Sequence, residues 1–243
     1  MISFADMPLK ISRVLIDDRL REVRALLSFI KVYESKETPP KDAEEVKIIR
    51  GMFYVHLYGA LEQSLNDAVT SFLQAVADLG PKNRELALHF LPTAMNSQFK
   101  SLSDERTDKK WKRRVDFVNS IQSDEACRIE NSVFAIHLQS SSTETLAQVA
   151  SYLGVSSSPL LLNPDRHYID EVVAKRHQVA HGRANPSTIG ARGRAAELEL
   201  RLDAVGRTVD LFIGLLENHF QLYAFLNPDG YARLAMTNLP DAA

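Results

Sequence analysis

Cysteine is nearly missing from this chain. Cys127 is the single one, which excludes an intramolecular disulfide and a cysteine-built zinc cluster. A reducing, cytoplasmic home is the expectation that follows. No uninterrupted apolar run is long enough to span a bilayer, and no basic-then-apolar leader opens the chain, so no membrane association is expected. There is no Gly-rich loop to cradle phosphates, and no order of Ser, His and Asp marks a hydrolase triad. Nothing indicates ATP use, and no cofactor is implied. An excess of one charge is also lacking. With a net charge of −2, nucleic acid can be met only by a local basic patch. Alternation with period two is almost absent, which argues against strands and leaves an all-α chain.

What the sequence does have is helical stripes. Its 243 residues, 45 % of them apolar, can build one large domain around a buried core. Residues 8–33 place Val14, Leu15, Leu20, Val23, Leu26, Leu27 and Ile30 on one face, and Pro39-Pro40 ends that helix. Residues 42–79 predict a long helix ending at Gly80-Pro81. Its stripe is Tyr54, Tyr58, Leu61, Leu65, Val69, Phe72 and Val76, widened by Phe53, Leu57 and Ala68. These two helices should pair antiparallel as the backbone of a bundle. A group of shorter helices is expected within an insert at about 82–162: 83–89, 93–102, 107–121, and one capped at Ser141 with Glu144 at capping-box spacing and closed at Gly154. The run 160–162 of leucines should pack inward. After a loop at 185–190, residues 192–225 predict a last long helix, with Leu198, Leu202, Val205, Val209, Phe212, Leu216 and Phe220 on its stripe. The reading is one domain over 1–226 and a tail over 227–243.

The chain turns on residues 163–183, NPDRHYIDEVVAKRHQVAHGR. They read as a helix opening at Asn163, with Pro164 in its first turn, and closing at Gly182. Near the end stand Arg176 and, five places later, His181. Arginine stays charged and offers a planar fork that fits phosphate. Histidine exchanges a proton near neutral pH, with an ordinary pKa of roughly 6.5. Together they are the minimum for cleaving a phosphodiester without a metal. Residues five apart on a helix rise about 7.5 Å and diverge by about 140°. Either a loosened last turn at Gly182 or a site shared by two chains is needed to make them converge. His177 and His181 also have the spacing of a zinc-protease helix, but Gln178 stands where that site needs a glutamate base and no third ligand is marked, so no metal is expected.

The R-x4-H element, with polar His177 directly after the arginine and a long helix behind it, resembles the HEPN family of small helical nucleases. The likeness is to stand-alone proteins of the RiboL-PSP-HEPN kind and of bacterial toxin–antitoxin and phage-defence loci. Residues 54–62, YVHLYGALE, are similar to the aromatic-rich helix of that group that ends in an acidic residue. The resemblance implies a HEPN-like bundle over about 8–225 that cuts RNA without a metal. It further implies a homodimer in which both Arg/His sets line one cleft, with the 2′-hydroxyl attacking the adjacent phosphate. Arg176 would then stabilise the phosphate, His181 act as acid or base, and His177 orient the substrate or the other two. An antitoxin or regulatory protein would restrain a toxin of this kind. One departure stands out. HEPN toxins silenced by adenylylation carry a tyrosine two places after the histidine, and here that residue is Arg183.

Supporting roles fall to Glu62, expected to reach Arg176 and fix its orientation, and to basic residues that could grip RNA. These are Arg183, Arg192 and Arg194 beside the motif, and Lys109, Lys110, Lys112 and Arg113 around Trp111, whose ring offers a stacking face. Each residue has a structural alternative. Arg176 could pair with Glu171, His181 could cap a helix end, Glu62 could be solvated, and 109–114 could be a solvated face with Trp111 in the core. Two other classes therefore stand beside the nuclease: a catalytically silent HEPN-like bundle binding nucleotide or a protein, and a purely structural interaction protein.

Overall fold

The structure, a computed structural model, describes residues 9, 11–103 and 109–237. Among the described residues the chain is α-helical, with two isolated β-bridges, Lys82 to Ala126 and Leu86 to Leu226. No helix among them is long and apolar enough to cross a membrane. Helix α1 (Arg13–Tyr33) packs against α2 (Glu44–Asp78), and the pair Arg19–Asp67 at 2.6 Å fixes their antiparallel register. Glu44 and Glu45 favour the positive end of α2, and Gly80, at φ +58°, terminates it. The expected α2 stripe is buried in full, because α2 is covered by α1, by the motif helix α9 (Arg166–Ala180) and by α11 (Ala195–Gln221). The α11 stripe is buried likewise.

Several boundaries differ from the sequence reading. Helix α1 begins at Arg13, Pro8 lies outside the described residues, and Val14 and Leu15 are exposed while Ile16 is buried. The first turn thus puts a different residue on the core side than the stripe suggested. Residues 83–89 form only a 3-10 turn, Asn83–Glu85, because Glu85 is engaged elsewhere: its carboxylate accepts from the Lys82 amide at 2.8 Å and takes both nitrogens of Arg233 at 2.7 and 2.9 Å. Pro92 opens the helix α3 (Leu91–Ala94) from its first turn, and α4 (Asn96–Ser103) follows. Helix α5 (Lys110–Ile121) buries no residue, and Thr107 lies outside the described residues. After α6 (Ala135–Leu138), α7 (Thr143–Tyr152) is capped by Ser142 rather than Ser141: the Ser142 hydroxyl accepts the Thr145 amide at 3.2 Å. Of the three leucines around α8 (Ser158–Leu161), only Leu160 packs inward, and Leu162 is 81 % exposed. Residues 227–237 hold a helix, α12 (Pro228–Thr237), tied back through Arg233 to Glu85.

The expected loop at 185–190 is instead a short helix, α10 (Pro186–Gly190), laid directly on α2. Backbone meets backbone there. A methyl at Gly51 would collide with the Pro186 carbonyl, and one at Gly190 with the Lys47 carbonyl. Beside this contact lies Arg50, only 2 % exposed. It pairs with Glu34 at 2.7 Å, off the N–H axis, and with Asp42 at 2.8 Å, and donates to the Gly190 carbonyl at 3.4 Å. Glu34 also accepts the Ala195 amide at 2.6 Å. One guanidinium therefore joins the end of α1, the approach to α2, α10 and the start of α11. Burial works against the Asp42 carboxylate, but the Ser35 amide and Arg50 outweigh it and hold its pKa below the ordinary value.

Candidate active site

The motif helix starts at Arg166, not Asn163. Asn163 turns the chain by accepting the Asp165 amide at 2.9 Å, and Asp165, free of capping duty, binds both Arg207 nitrogens of α11 at 2.7 and 2.8 Å. That bidentate pair, with Arg207 the chief cause, holds the Asp165 carboxyl below its ordinary range. Midway along α9, Lys175 donates to the Tyr54 hydroxyl at 3.0 Å and pairs with Glu171 at 2.5 Å, and Glu171 pairs in turn with Arg201 at 2.8 Å. This chain of contacts locks α9 between α2 and α11, and it takes Glu171 away from Arg176.

Arg176 itself lies over the Tyr58 ring, its guanidinium carbon 4.3 Å from the centroid, with Nη2 4.0 Å from Glu62 Oε2. Tyr58 is a firm bed. Its hydroxyl donates to the Gln139 carbonyl at 2.5 Å and accepts the Ser141 amide at 3.2 Å, so the α6–α7 link pins it. The expected approach of Glu62 to Arg176 is therefore present, at the long limit of an ion pair. Burial lifts the Glu62 carboxyl above its ordinary range, and the Arg176 charge opposes that. Tyr58 and Tyr54 read in the sequence as core and as part of the aromatic-rich stretch 54–62. Nothing in the stripe marked either as a seat for a cation, although an arginine over an aromatic face is a recurrent pairing.

The end of the helix is closed by hydrogen bonding. The Gly182 amide donates to Val179 O at 3.1 Å and the Arg183 amide to Gln178 O at 2.8 Å, with Gly182 at φ +65°. This is the Schellman arrangement, and it makes His181 the capping residue. The last turn is not loosened, so that route to convergence is closed. His181 instead lies against His177, ring centroids 4.1 Å apart and planes tilted by 52°. Among the described residues no hydrogen bond, ion pair or ring contact joins Arg176 to His181. Partial burial, then the charges of His181, Arg183 and Arg176, hold the His177 imidazole below its ordinary pKa and favour its neutral form.

The other basic residues divide. Arg183 is exposed at the mouth of the site. Arg192 is exposed after α10, and Arg194 is taken up structurally, donating to the Ser35 carbonyl at 2.6 Å and pairing with Glu34 at 3.5 Å. The run around Trp111 is not part of this site. Helix α5 packs on α4 and on the 3-10 turn beyond the end of α2, and α2 rises roughly 24 Å between Glu62 and that end. Trp111 is 71 % exposed with Arg114 over its ring at 4.9 Å, so it belongs to no core. Among the described residues no three His, Cys, Asp or Glu side chains gather as a metal-ligand group.

No curated protein and no solved structure matches the chain. Residues 16–217, from α1 nearly to the end of α11, match the RiboL-PSP-HEPN family, whose HEPN domains are known for ribonuclease activity. The match takes in Glu62, the aromatic bed and the whole R-x4-H helix, and the chain belongs to the RiboL-PSP-HEPN family.

Proposed function

We propose that the chain is a metal-independent endoribonuclease, acting as a toxin or phage-defence effector. The observation that carries this is the helix end of α9. There, a Schellman closure presents His181 beside a His177 biased to its neutral form, while Arg176 lies over Tyr58 with its side chain partly exposed. In the reaction a base removes the 2′-hydroxyl proton, and the oxygen attacks phosphorus. The P–O5′ bond breaks as an acid returns a proton to O5′, leaving a 2′,3′-cyclic phosphate and a 5′-hydroxyl. His181 serves as acid or base, Arg176 stabilises charge at phosphorus, His177 orients the substrate, and Glu62 steadies Arg176.

Because Arg176 and His181 diverge within one chain, the site is completed by a second copy. The exposed face of α2 beside Glu62 suits that contact: Ile48 and Met52 are apolar, and Gly59 is a mid-helix glycine with open space above it. A glycine there disfavours the single helix by about 0.5–1 kcal/mol relative to alanine, yet it lets another backbone come close. A restraining antitoxin or regulatory protein belongs to the same reading.

The test is cleavage of a mixed RNA by purified protein in EDTA, with product ends mapped, beside His181→Ala and Gly59→Arg. Activity that persists in EDTA, yields cyclic phosphate and disappears in a folded His181→Ala is the expected result. Gly59→Arg should keep its melting temperature, sediment as a monomer and lose activity. A wild type that binds RNA without cutting it under any condition would instead make the chain a silent member of its family.

A further inference from the structure

Along α9 a second row of side chains runs beside the motif. Arg166, Asp170, Ala174, His177 and Gln178 recur at helical spacing, and with Val173 they form one wall of a groove of about 440 Å³. The opposite wall is the first turn of α7, Ser142 and Glu144, and Arg183 closes the end next to His177. His181 continues the same row, one turn beyond His177, so the groove leads to the proposed acid–base residue and not to the Arg176 side.

The charges in this groove are arranged by role. Arg166 and Arg183 stand at its two ends, with the length of α9, a rise of about 21 Å from Arg166 to Ala180, between them. The stretch of the α9 wall between them is small and apolar, Val173 and Ala174, a surface on which a flat ring can lie. Asp170 is committed, since one of its oxygens accepts the Thr143 amide at 3.0 Å and so fastens α7 to α9. Glu144 is exposed and has neither hydrogen bond nor ion pair among the described residues. A carboxylate repels phosphate, so in a nucleic-acid groove its partners are hydrogen-bond donors, the ribose hydroxyls and the N–H groups on the base edges. Only the latter carry sequence information. Guanine alone presents two adjacent donors, N1–H and N2–H, to one carboxylate, while uracil presents a single N–H between two carbonyl oxygens.

We infer that this groove binds a guanine base and that Glu144 is the residue that reads it, setting the cut beside guanosine. The inference rests on the ribonuclease reading for its place in catalysis, but base binding stands apart from cleavage and is tested apart. Titration of the full chain with guanosine 5′-monophosphate and with uridine 5′-monophosphate, followed by amide chemical shifts, should show guanosine binding about ten-fold tighter or more, with shifts at 142–144 and 174–178. Glu144→Gln keeps the shape of an exposed side chain while giving the amide a donor where the carboxylate had an acceptor, and it should erase the difference. Mapped cut sites on a mixed RNA should favour guanosine next to the cleaved bond and lose that bias in the same variant. Equal binding of the two nucleotides, binding of neither, or a preference that survives Glu144→Gln overturns the inference. If guanosine is preferred but no RNA is cut, the nuclease reading fails and the groove stands; if RNA is cut without base preference, the reverse holds.

Discussion

Replacing Arg176 by alanine separates a structural arginine from a phosphate-binding one, because the two roles have different sizes. In the fold Arg176 makes one cation–π contact, 4.3 Å over Tyr58, and one ion pair at 4.0 Å, with its side chain 27 % exposed. A partly exposed cation–π contact stabilises by about 0.5–1 kcal/mol, and an ion pair this long and this wet by less than about 1 kcal/mol. The total is roughly 1–1.5 kcal/mol, a fall in melting temperature of a few degrees for a chain of this size, about 2–4 °C per kcal/mol. Glu62 loses the one charge that restrains its carboxyl, so that carboxyl moves further above its ordinary range. If Arg176 stabilises charge at phosphorus, its loss removes a transition-state donor and costs about 10²–10³ in rate. Single-turnover cleavage of a fluorophore–quencher RNA at saturating enzyme, beside thermal melts, reads both quantities. The expected pattern is a small loss of stability with a rate loss beyond about a hundred-fold, and Arg176→Lys falling between, since it keeps the charge without the fork. A folded Arg176→Ala that cuts within about three-fold of wild type would refute the assignment and leave Arg176 as a helix-packing residue.

Further outcomes follow from the same geometry. Burial, aided by His89, holds His219 down to about 4 from an ordinary 6.5, while a bond to Leu153 works the other way. The unfolded chain therefore takes up this proton first, so the stability is complete above about pH 6.5 and drains as pH falls toward 4. Urea unfolding should show a loss of about 1–2 kcal/mol between pH 7.5 and 5, after discounting for incomplete burial, and His219→Gln should flatten it. The depressed carboxylates Asp42, Glu85, Asp165 and Glu171 act below this window, so a variant that leaves the slope intact would locate it elsewhere. Gly190→Ala must push α10 off the Lys47 carbonyl, and a loss of at least about 2 kcal/mol with parallel loss of activity is expected in denaturant melts. Gly182→Ala meets no neighbour but strains a positive φ, so it should cost about 1–2 kcal/mol while Gly182→Asn costs less; calorimetry distinguishes them.

The long helices were legible because burial on one side writes a period of 3.6 into the sequence. The stripes of α2 and α11 could be read residue by residue. Helix ends were less legible, since their signals can be diverted. Asn163 looked like the opening of α9, but it turns the chain by accepting the Asp165 amide and the helix begins at Arg166; Glu144 looked like half of a capping box although Ser142 is the cap. The pairing of Glu62 with Arg176 could be foreseen from the family pattern. The seat beneath Arg176 could not, because Tyr58 has the same spacing as any core aromatic. Least legible was the contact of α10 with α2. Gly51 and Gly190 are 139 residues apart in the chain, each is unremarkable in its own neighbourhood, and only together do they define a place where two backbones touch.

The buried Arg50 junction has a consequence for how the protein is made. Its partners are Glu34 and Asp42 on one side and Gly190 on the other, with the amide of Ala195 completing Glu34. A ribosome delivers Glu34 and Asp42 early, but Gly190 and Ala195 only after the R-x4-H helix has already emerged. Until then a charged side chain destined for the interior has half its counterparts, and α9 has α2 to rest on but no α11. The helix that carries Arg176 and His181 is therefore seated late in synthesis, and a truncated or nascent chain leaves it unsupported. The proposed active form thus waits on residues that follow the motif in the chain, since α9 gains its second support only once α11 has been made.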